Sequence, residues 1–289
     1  MKWEIAHTLR LTFPAPVWEH HCELRLAPQP TAHQRVRELA VTVEPPAEVR
    51  AHADGFGNPV HAISLSAPHD GLTARLRAKV ETTLTNPFDF PVIAPPAERA
   101  WLDAALRREP RLWSFLVHRS PATPDLAALT VDGLAWPARD AGLPLLEALQ
   151  LVLDWLAEAV EYVPGFTSAC TPLQDIVTAR AGGCQDLAHL LISLARAWGA
   201  PARYVLGYHD PSHVEDEDGE QTLHAWTEVF IPGAGWRGLD PTTHLVTNET
   251  YVIVAVGRDA LDCPPVRSHF KGGDTAAETT AVVEVRCEQ

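Results

Sequence analysis

The sequence predicts an α+β protein, with an antiparallel β domain over residues 1–85 and, over residues 86–289, helices packed on a second antiparallel sheet. Three observations point there. Apolar and polar residues alternate in the first segment. Beyond a proline-rich stretch the apolar period lengthens to that of a helix. After residue 200 strand-like runs return. A period of two marks a half-buried strand and one near 3.6 an amphipathic helix. Helices first and a sheet afterwards is the α+β order.

In the first segment Trp3, Ile5, Leu9, Leu11 and Phe13 share one face. Leu39, Val41 and Val43 repeat the pattern, as do Leu72, Ala74, Leu76, Ala78 and Val80. Between them Asp54-Gly55-Phe56-Gly57-Asn58-Pro59 is a dense turn signal. The run LTNPFDFPVIAPPAER, residues 83–98, reads as a linker. Trp101, Leu102, Ala105 and Leu106 then fit a helix, as do residues 112–117. The stretch 119–143 reads as loop. Pro144 opens a stronger helix with a stripe of Leu145, Leu146, Leu149, Val152, Leu153, Leu156 and Val160. Thr171-Pro172-Leu173-Gln174 has the form of a capping box for a short helix ending near Gly182. Strands are expected at 202–209, 224–231, 236–240 and 251–256, with Pro232-Gly233-Ala234-Gly235 joining the second and third.

Composition bounds the partners. A formal net charge of −14 repels nucleic-acid phosphates and anionic lipid, so neither is expected as a partner. The chain has no apolar run long enough to span a membrane. Its start, MKWEIAHTLRLTF, lacks the apolar centre of a signal peptide, so the expected location is cytoplasmic. The 5 cysteines, Cys22, Cys170, Cys184, Cys263 and Cys287, are odd in number and irregularly spaced, which suits thiols rather than a disulfide framework. No CxxC pair occurs, and neither a metal nor another cofactor is expected. Nothing in the sequence sets the oligomeric state.

The chemistry centres on AGGCQDLAHLLISLARAWGAP. After Gly182-Gly183, Leu187, Leu190, Leu191, Leu194 and Trp198 recur at helical spacing, and the helix should end near Gly199. Cys184 falls in the first turn. Free N–H groups and the helix dipole favour a thiolate there, and the same N–H groups suit a developing oxyanion. A buried, inert thiol is the competing reading. A base and an orienting acid tip the balance. His224 opens the strand HAWTEVFI and Asp240 closes WRGLD, so the hairpin returns both to one edge. They share a face if the loop has an odd number of residues or the hairpin carries a bulge elsewhere, because side chains alternate. A three-residue loop at 233–235, with Gly235 left-handed and bulged, satisfies this.

GGCQDLAHLLISLARAWGAPARYVLGY followed by HAWTEVFIPGAGWRGLDPT resembles the core of the transglutaminase-like superfamily. The resemblance continues through VGRDALDCPP, and LRLTFPAPVWEHHCELRLAPQP and DGFGNPVHAISL resemble the N-terminal region of bacterial members. It implies a papain-like fold with a Cys–His–Asp triad. Cys184 matches the nucleophile, His224 the general base and acid, and Asp240 the residue that orients the imidazole. Tyr162, in EYVPGFT, is a candidate side chain at the oxyanion, against the plainer reading that it packs at its helix end. The implied chemistry is acyl transfer through a thioester on a peptide, protein or amide substrate. Hydrolysis is favoured over transfer to an amine acceptor. The alternative is a non-catalytic module that keeps the fold for binding.

Other features read as structural. Residues 209–220 are acidic and turn-forming and do not match a calcium loop; a solvated connection is expected, with 215–218 as a candidate rim selecting basic substrates. His189 lies about 140° around the helix from Cys184, so a zinc site using Cys170, His189 and His209 is discounted. Asp186, at the helix start, suits the dipole and reads as a tie to a neighbouring loop.

Overall fold

In this computed structural model the described residues are all but 132, 169–170, 214–221, 273–276 and 289. The chain begins with β1 (Lys2–Leu24), followed by β2 (Gln34–Glu44), β3 (Val49–Ala53), β4 (Pro59–Leu65) and β5 (His69–Thr82). Helices α1 (Pro95–Arg108), α2 (Leu112–Val117) and α3 (Leu145–Ala159) come next. Then β6 (Glu161–Tyr162), α4 (Leu173–Ala179), β7 (Ala181–Gly182) and α5 (Cys184–Ala197) lead to β8 (Ala202–His209), β9 (His224–Ile231), β10 (Gly235–Asp240), β11 (Leu245–Val246) and β12 (Tyr251–Gly257). The chain closes with β13 (Val266–Lys271) and β14 (Glu278–Cys287).

The first sheet has the order β2-β5-β1-β4-β3, with β13 and β14 also paired to β1. Trp3, Ile5, Leu9 and Leu11 lie opposite Val80, Ala78, Ala74 and Leu72, and all eight are buried. The β1–β5 register breaks between Thr12 and Val17, where Pro14 and Pro16 offer no N–H to a ladder. Past that break β1 pairs with β4 and β13 instead. In β2 Val41 and Val43 are half-buried against the core as the alternation implied, while Leu39 is exposed.

One boundary differs from the sequence reading. Residues 266–287 were expected within the second segment, yet β13 and β14 pair along β1 from Leu24↔Val266 to Trp3↔Cys287. Such pairing spans the length of the chain and leaves no local signature. The linker is also shorter than expected, since α1 starts at Pro95 with prolines in its first turn. Thr171 does not cap α4; Pro172 holds that position without a side-chain bond. Gln174 instead brackets Thr130, accepting from its N at 3.0 Å and donating to its O at 2.9 Å.

The second sheet has the order β11-β10-β9-β8-β12. Against it lies α5, buried from Asp186 to Arg196. Thr227 Oγ1 donates to the Ala188 carbonyl at 2.9 Å and pins helix to strand. The helix ends in a Schellman motif: Gly199, at φ 81°, donates to Arg196 O and Ala200 N donates to Ala195 O.

The outer edge of β12 is closed by two carboxamides from the first segment. Gln34 accepts from Ile253 N at 2.8 Å and donates to Ile253 O at 2.7 Å. Asn58 accepts from Val256 N and donates to Val256 O, both at 2.8 Å. Each side chain makes the donor–acceptor pair that a neighbouring strand would make.

Candidate active site

Gly183 is the N-cap of α5 and Cys184 its first residue. Asp186 reaches back and accepts from Gly183 N at 2.8 Å, one arm of a capping box. It also accepts a short hydrogen bond from Thr167, which ties the 163–168 loop to the helix start. Burial pushes the Asp186 carboxyl up, against the two donors that stabilise its charge. Packing requires glycine at 182: a β-carbon there would lie 2.9 Å from Asp186 Cβ and 3.0 Å from Ile176 Cγ2. The first N–H groups of α5 have no acceptor within the helix.

The β9–β10 hairpin sets the other two groups. Gly235 pairs with Ile231, so the odd loop is residues 232–234, one position earlier than expected. Gly235 takes φ 75°, the left-handed conformation expected of it. Counting back along this register, Asp240 lies opposite Trp226, two residues from His224 and on the same face. His224 Nε2 donates to Asp240 Oδ2 at 2.8 Å. Cys184 lies close enough to His224 to help raise its pKa, and Nδ1 is the ring nitrogen that Asp240 leaves free. The structure therefore brings Cys184, His224 and Asp240 together.

The electrostatics follow from burial and partners. Burial alone would lower the His224 pKa, but the Asp240 charge, its hydrogen bond and the contact with Cys184 raise it to about 10. Burial opposes ionisation of Asp240, yet His224, Thr242 N and Tyr251 together hold it at about 2. At neutral pH the pair is an imidazolium on a carboxylate. Cys184 is only half-buried, so the sulfur side of the set stays open to solvent.

Tyr162 pairs in register with Gly182 through the parallel β6–β7 bridge, which places it beside the chain entering Cys184. Its side chain is half-buried against the core. His189 is buried and accepts from Ala260 N at 3.0 Å through Nε2; burial holds it neutral, near a pKa of 4. Cys170 and the 215–218 rim lie outside the described residues. Among the described residues no group of three histidine, cysteine, aspartate or glutamate side chains is arranged to hold a metal.

Two residues were missed in the sequence. His209 packs edge-on to His224 with ring centroids 4.6 Å apart. Tyr251 donates to Asp240 Oδ2 at 2.9 Å. In the sequence Tyr251 reads only as a good strand former, and its hydroxyl partner lies across the sheet.

A cysteine on a helix end, facing a histidine and an acid on adjoining strands, defines a papain-like arrangement. Two family models match the chain in order: the bacterial transglutaminase-like N-terminal region over residues 3–81 and the transglutaminase-like superfamily core over 135–241. The chain belongs to the transglutaminase-like superfamily, and that membership supports a cysteine-dependent enzyme. An uncharacterized protein of Mycobacterium leprae is 26% identical, covering 98% of each chain. One of Mycobacterium tuberculosis is 29% identical over 92% of this chain and 86% of its own. The crystal structure of a candidate cysteine protease from Cytophaga hutchinsonii matches with a TM-score of 0.72 at 24% identity, over 99% of this chain and 90% of that one. That match shows the shared fold. Among the described residues no helix is long and apolar enough to cross a membrane.

Proposed function

We propose that the protein is a cysteine peptidase or amidase acting through a thioester, with Cys184 as nucleophile, His224 as acid and base, and Asp240 as the group that orients and charges the imidazole. The observation that carries this is the convergence of Cys184 and Asp240 on His224, whose Nε2 lies 2.8 Å from Asp240 Oδ2. In the resting set the Cys184 proton already sits on His224 Nδ1, and the sulfur attacks an amide carbonyl carbon. The carbonyl oxygen becomes an oxyanion beside the N-terminal N–H groups of α5. The carbon–nitrogen bond breaks as the imidazolium returns the proton to the leaving amine, leaving an acyl thioester. Water then gives a proton to His224 and attacks the thioester carbon, and the carbon–sulfur bond breaks to release the acid and restore the thiolate beside the imidazolium. The pairing of Tyr162 with Gly182, beside the chain entering Cys184, supports Tyr162 as the candidate side chain at the oxyanion.

The half-exposed position of Cys184 supports water over an amine as the second nucleophile. A peptide library incubated with and without a primary amine tests this by mass spectrometry. Cleavage or deamidation is expected. Amine incorporation as the main product would reverse the preference. Loss of all three in Cys184→Ala, with the wild type active, is required; a wild type that shows none of the three reactions supports the binding-module alternative.

A further inference from the structure

Asp240 is 0% exposed, and an ionised carboxylate in such a place needs its lone pairs occupied. Three donors do this. His224 Nε2 at 2.8 Å and Tyr251 Oη at 2.9 Å both meet Oδ2, and Thr242 N meets Oδ1 at 2.9 Å. The direction of the tyrosine bond is fixed. An ionised carboxylate only accepts, so the single phenolic proton points to Asp240. Thr243 Oγ1 lies 2.9 Å from the same phenolic oxygen and must therefore donate to it. The result is a one-way chain: Thr243 to Tyr251 to Asp240, with His224 donating from the other side.

The tyrosine ring is itself fixed. Trp226 meets it edge-on at 5.2 Å, and that indole stacks 6.2 Å from the His224 ring. His213 lies 5.3 Å away. Tyr251 opens β12, the strand whose outer edge Gln34 and Asn58 hold at Ile253 and Val256.

We propose that Tyr251 is a positioning residue for the Cys184–His224–Asp240 set: its hydroxyl fixes the Asp240 carboxylate toward His224 and keeps it ionised, with Thr243 setting the direction of the bond. This rests on the cysteine-enzyme reading above. The titratable groups facing the pair are Cys184 from α5, His209 from β8, His213 from the turn that follows, and Tyr251 from β12. His209 is held neutral, near a pKa of 4, by burial and by the neighbouring His224. It therefore adds no charge through the neutral range.

Tyr251→Phe tests the role, because it keeps the ring and removes only the donor. The measurement is the rate of Cys184 alkylation by iodoacetamide against pH, alongside the ultraviolet absorbance of the thiolate. Losing a hydrogen bond to a charged acceptor makes Asp240 easier to protonate, and a protonated Asp240 no longer supports the imidazolium. The acid limb of both profiles should move to higher pH by about one unit. Thr243→Ala should move it the same way by less. Thermal unfolding checks that both variants fold. An acid limb left in place in a folded Tyr251→Phe protein, with fast wild-type alkylation, overturns the positioning role alone. Wild-type alkylation no faster than a free thiol, and unaffected by His224→Ala, overturns the enzyme reading and this role with it.

Discussion

Each of the two sheets buries a histidine, and the two histidines carry opposite charge states. In the first sheet His20 is 1% exposed, hydrogen-bonded to His69 at 3.0 Å and to Ser268, with no carboxylate partner. Burial, with His69 and His21 nearby, lowers its pKa to about 4. In the second sheet His224 is 4% exposed, and Asp240 raises its pKa to about 10 despite burial. Burial is common to both, so burial does not decide the charge. The partner does. A strand that buries a histidine against a carboxylate holds a charge ready for chemistry; one that buries it against hydroxyls and imidazoles holds a neutral strut.

The sharpest way to break the contrast is Asp240→Asn. It should make His224 behave like His20, with its titration falling below the ordinary histidine value when followed by NMR. Turnover should fall on the order of 10³–10⁴-fold, the scale seen when a triad acid is neutralised. A His224 that still titrates near its wild-type value would show that Asp240 is not the source of the charge.

A second test takes in the support of β12. Asn58→Ala leaves the buried Val256 N–H and C=O without their partners and should cost about 3 kcal/mol, read from chemical unfolding. Gln34→Ala should act in the same direction at Ile253, and an unchanged midpoint in both would remove the amides from the account of stability.

A third test is the pH dependence of stability, where the two histidine types have opposite signs. His7, His20, His189 and His209 all have folded pKa values near 4, below the unfolded value of 6.5. The unfolded chain binds more protons in that window, so these residues make stability fall as pH drops from 6.5 toward 4. The raised His224 contributes stability that is full below 6.5 and fades as pH rises toward 10. Thermal melts across both windows should show both flanks, and His20→Phe should flatten only the acid one.

Local rules read much of this molecule correctly. The alternation of Trp3 to Phe13 is a period-two pattern, and the runs that became β8 and β9 are short strands buried along nearly their whole length; neither needs distant information. Cys184 at the start of α5 follows from two glycines before a helical stripe. The parity of the Pro232-Gly233-Ala234-Gly235 loop put His224 and Asp240 on one face, although the register sits one residue earlier. What escaped is nonlocal. The strands β13 and β14 find β1 from the far end of the chain, and their own sequences do not name that partner. Gln34 and Asn58 look like ordinary polar residues near turns until the strand they hold is in view. Tyr251 owes its place to a carboxylate on a strand that is not its sheet neighbour.

The carboxamide clasp on β12 also limits how a substrate can arrive. Extended peptides often bind enzymes by lengthening a sheet, matching backbone to backbone along a free border. Here that border is already occupied at Ile253 and Val256 by the chain's own amides. On the opposite border stands β11, only Leu245–Val246 long. Under the proposed function, a peptide that reaches Cys184 does not lengthen the sheet at Ile253 or Val256, and its recognition there falls to side-chain contacts and the helix end.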